Sequence, residues 1–258
     1  MRQAFAWWCF ANRGVADDEL LAGAARLGYS GVDLLPEPLW PLARRLGLAV
    51  TAVAGHDLRP EGLNRRDHAD RIEAELLRSI ARAESARIPV LICFAGSRAP
   101  GLDDETGVVT AAETLARVAP RAEAAGVTLA LELLNSRVDH PGYMGDRTAW
   151  GLRLVALARS PAVRLLYDIY HMQIMEGDLL RTIAAHHAAF AHYHTAANPG
   201  RGEFAPPADR DQEIHYPAVF RAIRRTGFAG HVAHEFIPNG DPLAALARAH
   251  DHFARSLD

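Results

Sequence analysis

The sequence predicts an α/β protein folded as a single closed (β/α)8 barrel over residues 1–258. Three observations predict it. Apolar runs and amphipathic segments alternate eight times along 258 residues. Runs such as LICFA are continuously apolar, as suits parallel strands covered on both faces. The beat has no break and no Gly-rich dinucleotide turn, which sets aside the doubly wound sheet.

The expected strands are QAFAWWCF (3–10), GVDLLP (31–36), AVTAVAGH (49–56), PVLICFAG (89–96), TLALELLN (128–135), VRLLYDIY (163–170), FAHYHTA (190–196) and HVAHEFIP (231–238). Helices are expected between them. DDELLAGAARLG has apolar residues at helical spacing, acids in its first turn and a closing Gly28. RDHADRIEAELLRSIARAESA reads as a long amphipathic helix. TGVVTAAETLARVAPRAEAAG ends at Gly126, with a kink expected at Pro120. DRTAWGLRLVALA, GDLLRTIAAHHAA, YPAVFRAIRRTG and DPLAALARAHDHFARSL complete the set, and PEPLWPLARRLG is the weakest. No linker or low-complexity tract interrupts them.

Composition narrows the function. The formal charge of −3 predicts no attraction to nucleic acid or to an acidic membrane. No apolar run approaches the roughly 18 residues of a spanning helix, and MRQAFAWWCF lacks a cleavable signal pattern. Cys9 and Cys93 lie in apolar segments and are expected as buried free thiols. Together these readings place the protein in the cytoplasm. All 28 basic residues are arginine, which excludes a lysine Schiff base and a Walker-type phosphate lysine.

Barrel active sites form at the carboxyl ends of the strands. Four units in a row each supply a polar residue there: Glu132 in TLALELLN, Asp168 in VRLLYDIYH, His194 in FAHYHTA and Glu235 in HVAHEFIP. A carboxylate such as Asp168, late in an apolar strand, needs a partner. Three carboxylates in one mouth would repel, and a divalent cation removes the difficulty. The oxygen-rich set suits Mn²⁺ or Mg²⁺, with Co²⁺ or Zn²⁺ as alternatives. For any one of these residues a surface cap or an arginine partner is the bland alternative; four in succession favour the metal.

The segments LELLN, YDIYHMQIMEGDL, HYHTAANPGRGEF, DQEIHYPAVF and HEFIP resemble the hydroxypyruvate isomerase family. That family sits in the wider group of xylose isomerase-like TIM barrels with D-tagatose 3-epimerase. The resemblance follows strand order along the chain and is strongest from about residue 128 to 238. It implies a metal held by Glu132, Asp168, His194 and Glu235, with Glu132 and Glu235 as the acid/base pair. It implies that His171 and Arg201 hold substrate oxygens. Three features depart from the family. Histidine at 194 is the pattern of the sugar 3-epimerases, where hydroxypyruvate isomerases carry glutamine. Ala197 replaces a common aspartate before the NP pair. The segment NSRVDHPGYMGDRTAW (135–150) is a long insertion.

The implied chemistry is an isomerase of carbohydrate metabolism. It removes a proton beside a carbonyl through an enediolate, on a small hydroxy-keto acid or an unphosphorylated sugar. A ketose 3-epimerase is the near alternative. A metal-dependent lyase, an apurinic-endonuclease-like phosphodiesterase and a non-catalytic sugar binder are the more distant ones. Related barrels suggest a homo-oligomer by analogy alone. Among further residues, His56 is read as a substrate contact, against an equally weighted structural histidine. Trp7, Trp8 and Phe10 wall the pocket or pack in the core. His192 supports the site, and Glu203 orients a neighbour. The loop at 198–217 is expected as a lid.

Overall fold

A computed structural model of the chain describes residues 1–57, 61–206 and 211–257. Eight parallel strands close into a barrel in chain order: β1 (Arg2–Ala6), β2 (Gly31–Asp33), β3 (Ala49–Ala54), β4 (Val90–Cys93), β5 (Thr128–Glu132), β6 (Val163–Asp168), β7 (Phe190–Thr195) and β8 (His231–His234). Ala4 of β1 is opposite both Gly31 and Ala233, so β1 joins β2 to β8. The helices are α1 (Trp7–Phe10), α2 (Asp17–Leu27), α3 (Trp40–Arg45), α4 (Ala69–Ala86), α5 (Asp104–Ala125), α6 (Thr148–Ala158), α7 (Ile169–Met175), α8 (Leu179–His186), α9 (Tyr216–Arg225) and α10 (Pro242–Arg255). The predicted fold class is borne out.

The reasons are local. Every residue of β4 is buried, which explains why its sequence is continuously apolar. In α4, Ile72, Leu76 and Ile80 fall on one face and are fully buried. Each such side chain contributes about 1.5–3 kcal/mol. Gly28 and Gly126 close α2 and α5 at φ 100° and 66°, a left-handed conformation that glycine adopts without a Cβ clash. Asp103 caps α5 by accepting the Thr106 N–H, and Asp241 caps α10 by accepting from Leu243 and Ala244. The α5 helix runs continuously through Pro120.

The apolar runs overstate the strands. The first was expected over 3–10, yet β1 ends at Ala6 and Trp7–Phe10 forms a helical turn. The β1 register ends at Ala6 opposite Asp33. Beyond it the backbone bonds to itself, with the Ala11 N–H donating to the Trp7 carbonyl at 3.0 Å. The sixth run ends at Asp168, where α7 begins, and the eighth at His234. The weak third helix is a 3-10 turn at Glu37–Leu39 leading into α3, as Pro38 and Pro41 allow.

Two compact units make up the chain. One comprises Met1–Thr51, Asp178–His187 and Tyr193–Asp258; the other comprises Ala52–Gly177 and Ala188–His192. Two of the boundaries fall inside strands, in β3 and in β7. No helix among the described residues is long and apolar enough to cross a membrane.

Candidate active site

In the first unit, Asp33 is the last residue of β2, His194 is next to last in β7, and Glu235 follows β8; all three are buried. The His194 ring lies between the two carboxylates. Its Nε2 is 3.1 Å from Asp33 Oδ2 and its Nδ1 is 3.3 Å from Glu235 Oε2. Asp33 Oδ1 also accepts the Thr51 hydroxyl. Glu235 Oε1 accepts the Trp8 indole N–H at 3.0 Å, and Oε2 accepts the Arg201 guanidinium. That guanidinium lies over the Trp8 ring, 5.2 Å from its centroid. Burial pushes the Glu235 carboxyl up, but His194 and Arg201 outweigh it and hold the group well below the usual carboxylate range.

The NPGRGEF stretch is anchored. Arg201 adopts a left-handed φ of 52°, and its carbonyl accepts the Ile237 N–H at 2.8 Å. Glu203 is buried, takes two bonds from Arg248 and accepts the Asn239 N–H. Asn198 and Glu213 bond to each other through side chains at 2.8 Å. The expected lid is thus bonded at Arg201 and Glu203 to the segment after β8 and to α10, and to itself between Asn198 and Glu213, while 207–210 lie outside the described residues.

In the second unit, Glu132 ends β5 and Asp168 ends β6, both buried. Asp168 also caps α7, its Oδ1 accepting the His171 N–H at 3.0 Å. That cap throws the chain into a helix and returns the His171 ring beside Asp168, with Nε2 3.8 Å from Oδ2. His171 Nδ1 accepts the Asn135 backbone N–H at 3.1 Å. The ring proton therefore sits on Nε2, the nitrogen beside Asp168. Asn135 Oδ1 in turn accepts from Val138 and Asp139, fixing the start of the insertion.

The insertion at 135–150 packs as a buttress. Tyr143 pairs antiparallel with Ser97, and its buried hydroxyl donates to the Glu132 carbonyl at 2.9 Å while accepting the Ala95 N–H at 2.8 Å. Arg98 clamps Asp146 and Asp104. Glu176 of the MEGD motif accepts the Thr148 N–H and hydroxyl, capping α6. His56 is held on both sides of its ring. Nε2 accepts the Phe94 N–H at 3.0 Å and Nδ1 lies 3.1 Å from the Asp57 carbonyl. That is the pattern of a structural histidine, the second of the two roles weighed for it.

Glu132, Asp168, His194 and Glu235 each offer a ligand atom, and the four atoms lie within 4.8 Å of one another. Three buried carboxylates and an imidazole at that spacing form a donor set of the kind that holds a hard divalent cation. They are the four residues expected from the sequence at the strand ends. Sequence reasoning missed Asp33, Asn135, Tyr143 and the donor role of Trp8. Asp33 alone carried a readable signal, an acid at the end of the apolar run GVDLL.

Residues 21–256 match the sequence profile of the xylose isomerase-like TIM barrel family. Hydroxypyruvate isomerase of Escherichia coli strain K12 is 30% identical over 154 residues, 60% of this chain and 57% of that protein. The 2-oxo-tetronate isomerase of Cupriavidus necator is 32% identical over 134 residues, 52% of this chain and 49% of that protein. The chain thus spans about half the length of these curated relatives. Among solved structures, an AP endonuclease of family 2 from Brucella melitensis is 26% identical, with a TM-score of 0.80 over 96% of this chain and 97% of that one.

Proposed function

The chain belongs to the xylose isomerase-like TIM barrel family, and on that premise we propose that it is a metal-dependent isomerase of a small hydroxy-keto acid or free sugar. The observation that carries this reading is the meeting of Glu132, Asp168, His194 and Glu235 within 4.8 Å. The names of the hydroxypyruvate and 2-oxo-tetronate isomerases point to the same substrate class.

The four residues hold the cation, with Mn²⁺ or Mg²⁺ favoured over Co²⁺ or Zn²⁺ by the oxygen-rich donors. When bound, it supplies Lewis-acid polarisation of the substrate's carbonyl and hydroxyl oxygens. Glu132 and Glu235 come from different strands and act as base and acid. One removes the proton beside the carbonyl, and the other returns a proton to the neighbouring carbon. His171 donates Nε2–H to a substrate oxygen. Arg201 exchanges Glu235 for a substrate carboxylate or hydroxyl, a bond for which a guanidinium is well shaped.

A second reading, a ketose 3-epimerase, is favoured by His194, an imidazole where hydroxypyruvate isomerases carry glutamine. There the second carboxylate returns the proton to the opposite face of the same carbon. One experiment separates these readings. The Mn²⁺-loaded protein is incubated in D₂O with a panel of small keto acids and ketoses, and products are read by NMR. Deuterium on the carbon that bore the original carbonyl, with carbonyl migration, supports the isomerase; deuterium beside an unmoved carbonyl, with inversion at that centre, supports the epimerase. Full turnover by metal-free protein sinks both. Several zinc ions per chain turn the reading toward a phosphodiesterase.

A further inference from the structure

Asp33 is wholly buried at the end of β2 and stands outside the four-residue donor set. Within the first unit it reaches the far side of the His194 ring. Its Oδ2 faces Nε2 at 3.1 Å, while Nδ1 on the other side of the ring faces Glu235 Oε2 at 3.3 Å. In the barrel order β2 and β7 are separated by β1 and β8, so this contact crosses the interior. Thr51 donates its hydroxyl to Asp33 Oδ1 and fixes the plane of the carboxylate.

An ionised carboxylate only accepts, so the ring nitrogen facing Asp33 must carry a hydrogen. With a cation on the Nδ1 side in place of that nitrogen's hydrogen, the one hydrogen left on the ring is the one that Asp33 holds on Nε2. Carboxylates bonded to the far nitrogen of a metal-binding histidine orient the ring in this way and fix its tautomer.

We propose that Asp33 is a positioning residue: it takes the Nε2–H of His194 and thereby presents the Nδ1 lone pair to the divalent cation. This rests on the metal reading above. Thr51 is part of the device. Because its hydroxyl donates to Oδ1, an asparagine at position 33 would keep its oxygen on Thr51 and turn its NH₂ toward the ring. That amide would require Nε2 as acceptor and would move the imidazole proton to Nδ1, where the ion should bind.

The test compares Mn²⁺ binding, by titration of the full chain, in the wild type, Asp33→Asn and Thr51→Val. It adds ¹⁵N NMR of the His194 ring in the Mg²⁺-loaded wild type. The expected result is one Mn²⁺ per wild-type chain, an affinity about 10–100-fold lower in Asp33→Asn, a smaller loss in Thr51→Val, and the hydrogen on Nε2. A wild type that binds Mn²⁺ together with variants that bind it equally tightly would overturn the role of Asp33. So would a hydrogen found on Nδ1. Either result leaves the metal site standing. A wild type that binds no Mn²⁺ removes the metal reading itself and this role with it. If Asp33→Asn does not fold, the wild-type NMR measurement still decides.

Discussion

The Arg201 guanidinium is bonded to Glu235 Oε2 and rests on the Trp8 ring 5.2 Å from its centroid, while the Trp8 indole donates to the other oxygen of the same carboxylate at 3.0 Å. Glu235, one of the four proposed ligands of the cation, thereby accepts from both Trp8 and Arg201. Arg201 competes with a cation for that carboxylate and adds a positive charge beside it. Arg201→Met is therefore expected to tighten Mn²⁺ binding by roughly tenfold, about 1.4 kcal/mol, which lies between about 1 kcal/mol for a close charge pair in water and about 4 kcal/mol for one at an effective dielectric of about 20, while lowering kcat/KM. Metal titration beside steady-state kinetics checks this. Weaker Mn²⁺ binding in the variant would mean that Arg201 supports the ion site rather than competing for it.

Glu132 is positioned through its backbone as well as its strand. The buried Tyr143 hydroxyl joins its carbonyl to the Ala95 N–H, tying the end of β5 to the residues after β4. Tyr143→Phe keeps the ring and removes a bond from each group. A buried backbone group that loses a partner costs about 1–3 kcal/mol, so the midpoint of urea unfolding should fall with little change in slope. An unchanged midpoint would show that neither group depends on the hydroxyl.

What was legible in the sequence follows from what each signal depends on. The eight-unit beat is carried by apolar burial, a property of each segment alone, and it read correctly. The same signal placed Glu132, Asp168 and His194 at strand ends, because an acid or imidazole closing an apolar run is visible locally. Strand ends were overstated because a ladder stops where its neighbour stops. β1 ends at Ala6 opposite Asp33, though apolar residues continue to Phe10. Asp33 showed the same pattern as Asp168 but lay outside the quoted motifs. Tyr143 and Asn135 left no trace, since their roles depend on a packed insertion whose sequence reads as an irregular loop. His56 left its two readings level in the sequence. A histidine at a strand end looks available, but both sides of its ring are met by backbone groups.

Metal binding should couple to stability. Three buried carboxylates within 4.8 Å of one another and of an imidazole gain when a cation joins them. Binding to the folded chain alone adds about 2.7 kcal/mol at one hundred times Kd. Treatment with EDTA should therefore lower Tm, and Mn²⁺ should restore it in proportion to the logarithm of its concentration. In a Glu132→Gln, Asp168→Asn double variant the Mn²⁺ response should vanish. A Tm unaffected by EDTA and Mn²⁺ in the wild type would argue against a site in these four residues.

His56 makes stability depend on pH. Burial lowers its pKa from 6.5 to about 4, outweighing the opposite effect of its bond to the Asp57 carbonyl. In the unfolded chain the ring takes up a proton near pH 6.5, whereas the folded chain resists it until about 4. Between those values the unfolded state binds more protons, so stability rises with pH across that window. The contribution is complete above about pH 6.5 and is lost as pH falls toward 4, with a total of about 3 kcal/mol at 1.36 kcal/mol per pKa unit. His234, lowered by burial to about 3, contributes with the same sign. Urea unfolding between pH 8 and 5 should show the wild type losing stability more steeply than His56→Gln. Glutamine cannot titrate, yet it retains an acceptor for the Phe94 N–H and a donor for the Asp57 carbonyl. Equal slopes in the two chains would place the pH dependence in other groups and remove His56 from the account.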